Sequence, residues 1–211
     1  MKTIQTRLIE IRSVPLSNGF LFFLKKRLIS SLFLWYTDCM KYDYKRLYEK
    51  NYDFYVTHPR LKRAILLINH GLTLIFSLAY ILLWVKALFI DDWAADQLLI
   101  LLFPPVLCFL TATVLRLFVH RARPYTQQGA NITPLVKKAR RDNCSFPSRH
   151  LACAAVIATV ALYFSLPLGI GLYAVALGLA YIRFALGLHY PTDLLAGLSL
   201  GVFIGLLAFL L

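Results

Sequence analysis

The chain has 211 residues, 59% of them hydrophobic and 16% charged, with a formal net charge of +13. That length suits one domain or one helical bundle, and so apolar a chain with long apolar runs belongs in a membrane. No soluble domain remains to carry nucleic acid, so the positive charge is expected to face anionic lipid headgroups and anionic substrates instead.

Residues 1–60 read as an amphipathic, interfacial segment. Their apolar pieces, 19–24 and 28–36, are shorter than the roughly 20 residues a span needs, and they alternate with basic and aromatic residues. Lys25-Lys26-Arg27 follows the first piece directly, which is not a signal-peptide pattern. Residues 61–211 read as a transmembrane domain with a polar, catalytic loop near 120–150. Five spans are expected, over 64–90, 98–119, 148–164, 167–186 and 192–211. A sixth, among residues 19–37, is the alternative. Asp91-Asp92-Trp93 closes the first span with charge and an interfacial aromatic, and Pro104-Pro105 should kink the second. Gly187 stands where a helix C-terminus favours glycine. Gly197, Gly201 and Gly205 recur every four residues on one face of the last span, which suits close packing inside the bundle or, alternatively, a homodimer interface. The fold class is therefore all-α, an integral membrane bundle of about five to six helices with an amphipathic N-terminal segment. The four cysteines (Cys39, Cys108, Cys144, Cys153) have no metal-ligand spacing, and no disulfide follows from them.

Three polar clusters sit at the ends of these spans: Arg116-x6-Arg123-Pro124, Pro147-Ser148-Arg149-His150 and Arg183-x5-His189-x3-Asp193. Such residues are expensive near a bilayer and mark function. The order of the spans brings all three clusters to one side of the membrane. Arg116 and Arg123 are seven apart, nearly two full helical turns, so they share a face, and Pro124 should end the helix just beyond. Arginine offers phosphate a planar fork of donors. Pro147 fits the first position of a helix, which would leave the Ser148 and Arg149 N–H groups and the Ser148 hydroxyl turned towards an anion. Asp193, in the first turn of the last span, can reach back to the His189 ring and fix its tautomer. The other ring nitrogen is then a nucleophile or base. These parts suit two-step phosphoryl transfer. His189 attacks phosphorus, Asp193 stabilises the imidazolium, and His150 protonates the leaving oxygen and then helps activate water. Arg116, Arg123, Ser148, Arg149 and Arg183 hold the phosphate charge. No cluster of carboxylates lies near these residues, so neither a metal ion nor another cofactor is expected.

The clusters resemble the type 2 phosphatidic acid phosphatase family, whose pattern is Lys-x6-Arg-Pro, Pro-Ser-Gly-His and Ser-Arg-x5-His-x3-Asp. The resemblance covers about residues 116–193, with all three motifs in order. It implies a membrane lipid phosphatase with His189 as nucleophile, Asp193 as its partner and His150 as general acid. Arg123, Ser148 and Arg183 would then lie on phosphate. Three positions depart from the pattern: Arg116 stands for Lys, Arg149 for Gly and Ile182 for Ser. The added cation at Arg149 suits a second phosphate. Of the lipids that compact bacterial members act on, undecaprenyl diphosphate is therefore expected before phosphatidylglycerophosphate or phosphatidic acid. A non-catalytic carrier of lipid phosphates is the alternative from another class. The concentration of Lys and Arg beside the clusters argues for a cytoplasmic site. The resemblance implies the extracytoplasmic face of the plasma membrane, and that is the expectation taken here, because catalytic arginines are not topology signals.

Overall fold

The computed structural model describes residues 44–89, 95–126, 132–136 and 144–210. The apolar pieces of residues 19–36, Cys39, the Asp91–Trp93 boundary and the middle of the catalytic loop lie outside the described residues. The described residues belong to one unit, Asp43–Leu211.

Six α-helices are described. Helix α1 covers 44–57. It is followed by α2 (Pro59–Phe89), α3 (Ala95–Phe118), α4 (Arg149–Phe164), α5 (Leu166–Ala185) and α6 (Pro191–Leu206), with a final 3₁₀ turn, Leu207–Leu210. Among the described residues the only β pairing is an isolated antiparallel bridge between Ala122 and Cys144. Five helices thus stand where the five spans are expected, within a few residues at each end.

Helices α2, α3 and α5 are long and apolar enough to cross a membrane, whereas α4 and α6 are apolar but shorter. At 16 residues each, α4 and α6 are about 24 Å long, less than the roughly 30 Å of a hydrocarbon core. Helix α4 is the central one, packed against α2, α3, α5 and α6, whereas α6 turns Leu195, Phe203 and Leu206 outwards; the N-termini of both carry polar clusters. Helix α4 is rich in alanine, with Ala152, Ala154, Ala155, Ala158 and Ala161 all buried. Helix α2 buries only a stripe, Ile65, Phe76, Leu83 and Ala87, and turns Leu67, Leu74, Leu82 and Phe89 outwards. Such an exposed apolar surface on a long helix is what hydrocarbon solvates. Pro104 and Pro105 lie within α3, which is nonetheless one continuous helix. Membrane helices tolerate proline where neighbouring groups take up the freed carbonyls.

The most extensive helix pairing is α4 on α6. The glycine face makes it possible. A Cβ at Gly197 would lie 2.6 Å from the Ser148 carbonyl oxygen, and one at Gly205 would lie 2.5 Å from Thr159 Cβ. At Gly201 it would strike the Ala152 carbonyl. The face is therefore used inside the bundle and is not open to a second copy, so the dimer alternative loses its surface.

Helix α1 packs through tyrosines four residues apart. Tyr44 and Tyr48 are buried, and Tyr44 meets Phe184 and Tyr190 edge-on at centroid distances of 5.4 and 4.9 Å. The Tyr48 hydroxyl donates to the Thr133 carbonyl at 2.9 Å. Gly187 follows the end of α5 with φ of 74°, and a Cβ there would come within 2.9 Å of the Tyr48 ring. Two independent requirements, left-handed backbone and close approach, select glycine at that turn.

Candidate active site

Helix α6 opens with Pro191, whose missing N–H is no loss at a first helical position. Asp193 lies in the first turn and accepts the Tyr190 N–H through Oδ2 at 3.0 Å. Its Oδ1 accepts from Arg121 Nη1 at 2.8 Å. The same Nη1 donates to Thr192 Oγ1 at 2.7 Å, and the Arg121 guanidinium lies 4.3 Å from the centre of the Tyr190 ring.

His189 is completely buried one turn before Asp193. Its Nδ1 is 2.9 Å from the Ser145 carbonyl and 3.8 Å from Asp193 Oδ2. The expected direct histidine–carboxylate hydrogen bond is thus replaced. Asp193 is already held by Arg121 and by the Tyr190 N–H, and the Ser145 carbonyl occupies the bonding direction of Nδ1. The consequence for the ring is the same. A carbonyl only accepts, so Nδ1 carries the proton and Nε2 keeps its lone pair. Nε2 is buried and has no hydrogen-bond partner. Burial pushes the His189 ring down to about 4, helped by Arg123 and Arg183 and opposed by Asp193. It is neutral at neutral pH.

The second cluster differs from its expectation in detail. Helix α4 begins at Arg149, so Ser148 is the N-cap and Pro147 lies outside the helix. The Ser148 N–H is not turned to an anion; it donates to the Asp193 carbonyl at 3.0 Å and ties the starts of α4 and α6 together. The Ser148 hydroxyl does not cap its helix, and its Oγ is buried without a partner. His150 is half-buried in the first turn of α4. The Arg149 guanidinium lies 6.0 Å from the centre of the Phe109 ring, an exposed residue of α3.

The arginines divide by task. Arg116, in the last turn of α3, directs Nε and Nη2 to the Pro147 carbonyl at 3.1 and 3.0 Å and so braces the segment that carries Ser148. Arg123 does not share a helical face with it, because α3 ends at Phe118 and the following chain turns to pair Ala122 with Cys144. From that loop the buried Arg123 directs Nη1 to the Leu188 carbonyl at 3.3 Å, next to His189. Arg183, buried in the last turn of α5, also acts electrostatically on the His189 ring. Among the described residues, three buried arginines (Arg116, Arg123, Arg183) accompany a single buried carboxylate, Asp193.

Two contributors escape a reading of residue types. The Ser145 carbonyl is main chain, and no side-chain motif encodes it. Arg121 is one of several cations between α3 and the loop. A pair of arginines flanking Ala122 on a chain that must turn is the faint signal available.

No curated protein matches the chain. A crystal structure of a transmembrane PAP2-type phosphatidylglycerolphosphate phosphatase from Bacillus subtilis is similar to it, with a TM-score of 0.64 and 26% identity over 90% of this chain and 92% of that one. The crystal structure of Aquifex aeolicus LpxE matches more loosely, with a TM-score of 0.45 and 24% identity over 71% of this chain and 94% of that one. The model of the PAP2 superfamily matches residues 93–211, which include all three clusters and more than half of the chain. An all-helical membrane bundle bearing these motifs in this order, with that match, belongs to the PAP2 superfamily, the type 2 phosphatidic acid phosphatases.

Proposed function

We propose that the protein is a membrane lipid phosphatase that hydrolyses a lipid phosphate or diphosphate through a phosphohistidine at His189, without a metal ion. The observation that carries this reading is the charge around His189. Two buried guanidinium groups, Arg123 and Arg183, act electrostatically on a buried ring whose Nε2 keeps its lone pair. Guanidinium groups beside a nucleophile stabilise the charge on the equatorial oxygens of a transferring phosphoryl group.

In the first step His189 Nε2 forms a bond to phosphorus while the bond from phosphorus to the lipid oxygen breaks. His150 gives that oxygen its proton. The charge that appears on the ring is shared with Asp193 and the Ser145 carbonyl. Arg123, Arg183 and the Ser148 hydroxyl hold the equatorial oxygens, where charge is greatest in the transition state. Arg116 keeps Ser148 in place through Pro147. In the second step His150 takes a proton from water, water attacks phosphorus, and the bond to Nε2 breaks.

Two substrates have specific support. Arg149 adds a cation where the family pattern has glycine, next in sequence to Ser148, and a further cation there supports undecaprenyl diphosphate, which carries a second phosphate. The similarity to the phosphatidylglycerolphosphate phosphatase favours phosphatidylglycerophosphate. The site is assigned to the extracytoplasmic face of the plasma membrane.

Phosphate release by the detergent-purified protein, with EDTA present, compares undecaprenyl diphosphate, phosphatidylglycerophosphate and phosphatidic acid. Release that disappears in His189→Ala is expected. A folded protein inert towards all three lipids moves the assignment to a carrier. Arg149→Gly should lower the preference for diphosphate over monophosphate, and an unchanged preference removes the argument from Arg149. A membrane-impermeant lipid phosphate offered to intact cells should be hydrolysed; hydrolysis only after lysis places the site inside.

A further inference from the structure

Arg121 occupies no position of the three motifs, yet it reaches His189 by two routes. Its side chain holds Asp193: Nη1 donates to Asp193 Oδ1 at 2.8 Å and to Thr192 Oγ1 at 2.7 Å. Its main chain holds Ser145: the Arg121 carbonyl accepts the Ser145 N–H at 2.8 Å and the Ser145 hydroxyl at 3.1 Å. The Ser145 carbonyl and Asp193 Oδ2 are the two acceptors beside Nδ1 of His189, at 2.9 and 3.8 Å. Both are therefore anchored on one residue.

We propose that Arg121 is a positioning residue: by neutralising Asp193 and hanging the Ser145 carbonyl on its own backbone, it keeps His189 a neutral nucleophile protonated at Nδ1. This rests on the reading of His189 as the nucleophile. The physical argument is a competition. An uncompensated carboxylate 3.8 Å from the ring would draw the Nδ1 proton from the Ser145 carbonyl and favour the imidazolium, which has no lone pair for phosphorus. Paired with a guanidinium, Asp193 exerts less of that pull and still stabilises the charge that develops later.

The other charged and titratable groups around His189 are Arg123 from the 119–126 segment and Arg183 from α5, both of which disfavour its protonation. The Tyr44 hydroxyl of α1 lies within electrostatic reach of Asp193, as does Tyr190 of Tyr44. Helix α4 contributes His150 in its first turn. Arg121 donates directly to Asp193 Oδ1, at 2.8 Å.

Both side-chain bonds of Arg121 are made by a single nitrogen, Nη1, so a lysine ammonium with its three donors can replace them. A role confined to packing over Tyr190 would not be rescued in this way. The test uses the full chain in detergent micelles with ¹⁵N-labelled histidine, His189→Ala identifying the resonance among the five histidines. Ring ¹⁵N shifts read the tautomer and the midpoint of protonation without reference to activity. Phosphate release from phosphatidic acid between pH 4 and 8 gives the acid limb of kcat/KM.

In Arg121→Met the His189 midpoint and the acid limb should both rise by about one pH unit. Activity at pH 8, where the ring is neutral in either protein, should not fall. Arg121→Lys should behave as the wild type in both readouts. A folded Arg121→Met with an unmoved midpoint overturns the proposal, as does a uniform loss at every pH or an Arg121→Lys as impaired as Arg121→Met. Should Arg121→Met fail to fold, Thr192→Val decides: it removes one of the two anchors of Nη1 and should shift the midpoint the same way, and no shift overturns the proposal. A wild-type protein without His189-dependent phosphate release defeats the phosphatase reading instead, and the ring shifts still decide the role of Arg121.

Discussion

Asp193→Asn separates the charge of this side chain from its shape. Asparagine can still accept the Tyr190 N–H that Asp193 Oδ2 accepts at 3.0 Å, so the start of α6 should survive. What disappears is the negative charge 3.8 Å from His189 Nδ1. A unit charge at that distance is worth about 4 kcal/mol to an imidazolium at an effective dielectric of about 20. Arg121, 2.8 Å from the same carboxylate, cancels part of this. Taking about half leaves roughly 2 kcal/mol, or a kcat lower by about thirtyfold. KM should stay within about twofold, because Asp193 is spent on Arg121 and Tyr190 and interaction with the developing ring charge belongs to the transition state. Losing a charge-assisted bond to Arg121 should also lower stability by about 1–3 kcal/mol. The assay is steady-state phosphate release at pH 7 with thermal unfolding as a control. A folded variant with kcat within about threefold of wild type, or one impaired only in KM, refutes the reasoning.

His189 should make stability fall with acid. Its ring is held near 4 in the fold against an ordinary 6.5, so between these values the unfolded chain binds the extra proton. Stability is full above about pH 6.5 and declines by about 3 kcal/mol as pH falls to 4; denaturation midpoints across that range should show the slope, and His189→Gln should flatten it. Glycines should respond to alanine with opposite signs. Gly71→Ala, with open space at its Cβ, should gain up to about 1 kcal/mol, whereas Gly201→Ala drives a methyl onto the Ala152 carbonyl and the Val156 N–H and should lose about 1–3 kcal/mol, both read by thermal unfolding in one detergent. Tyr44→Ala removes a buried ring that packs on Phe184 and on Tyr190, the neighbour of His189. It should cost about 3–5 kcal/mol and reduce phosphate release at temperatures where the protein stays folded, while Leu47→Ala on the exposed side of α1 should do neither.

Much of the bundle is legible in the sequence because hydrocarbon solvation demands long apolar runs, and those runs mark α2 to α6. The glycine face of α6 and Gly187 are legible for a similar reason: each answers a steric demand that only one residue type meets. Side chains that carry charge into an apolar chain, such as Arg183, His189 and Asp193, stand out by cost alone. What sequence does not show is how main-chain groups are shared. The Ser148 N–H is taken by the Asp193 carbonyl and the His189 Nδ1 proton by the Ser145 carbonyl, and neither bond depends on residue type. The same applies to the end of α3, where pairing of Ala122 with Cys144 draws Arg123 off the helix. Helix α1 is a mixed case. Tyr44, Tyr48 and Tyr52 have helical spacing, but the charged residues between them give the segment the polarity of a membrane surface, and only the packing shows which face is covered.

The central claim is that His189 becomes covalently phosphorylated. Lipid substrate labelled with ³²P at the scissile phosphate, mixed with the detergent-purified protein and quenched in alkali within one turnover, tests it directly. The account predicts label on the protein that is stable to alkali, released by acid, and absent from His189→Ala. Hydrolysis that persists in folded His189→Ala, with no label on the wild-type protein at any quench time, would contradict it.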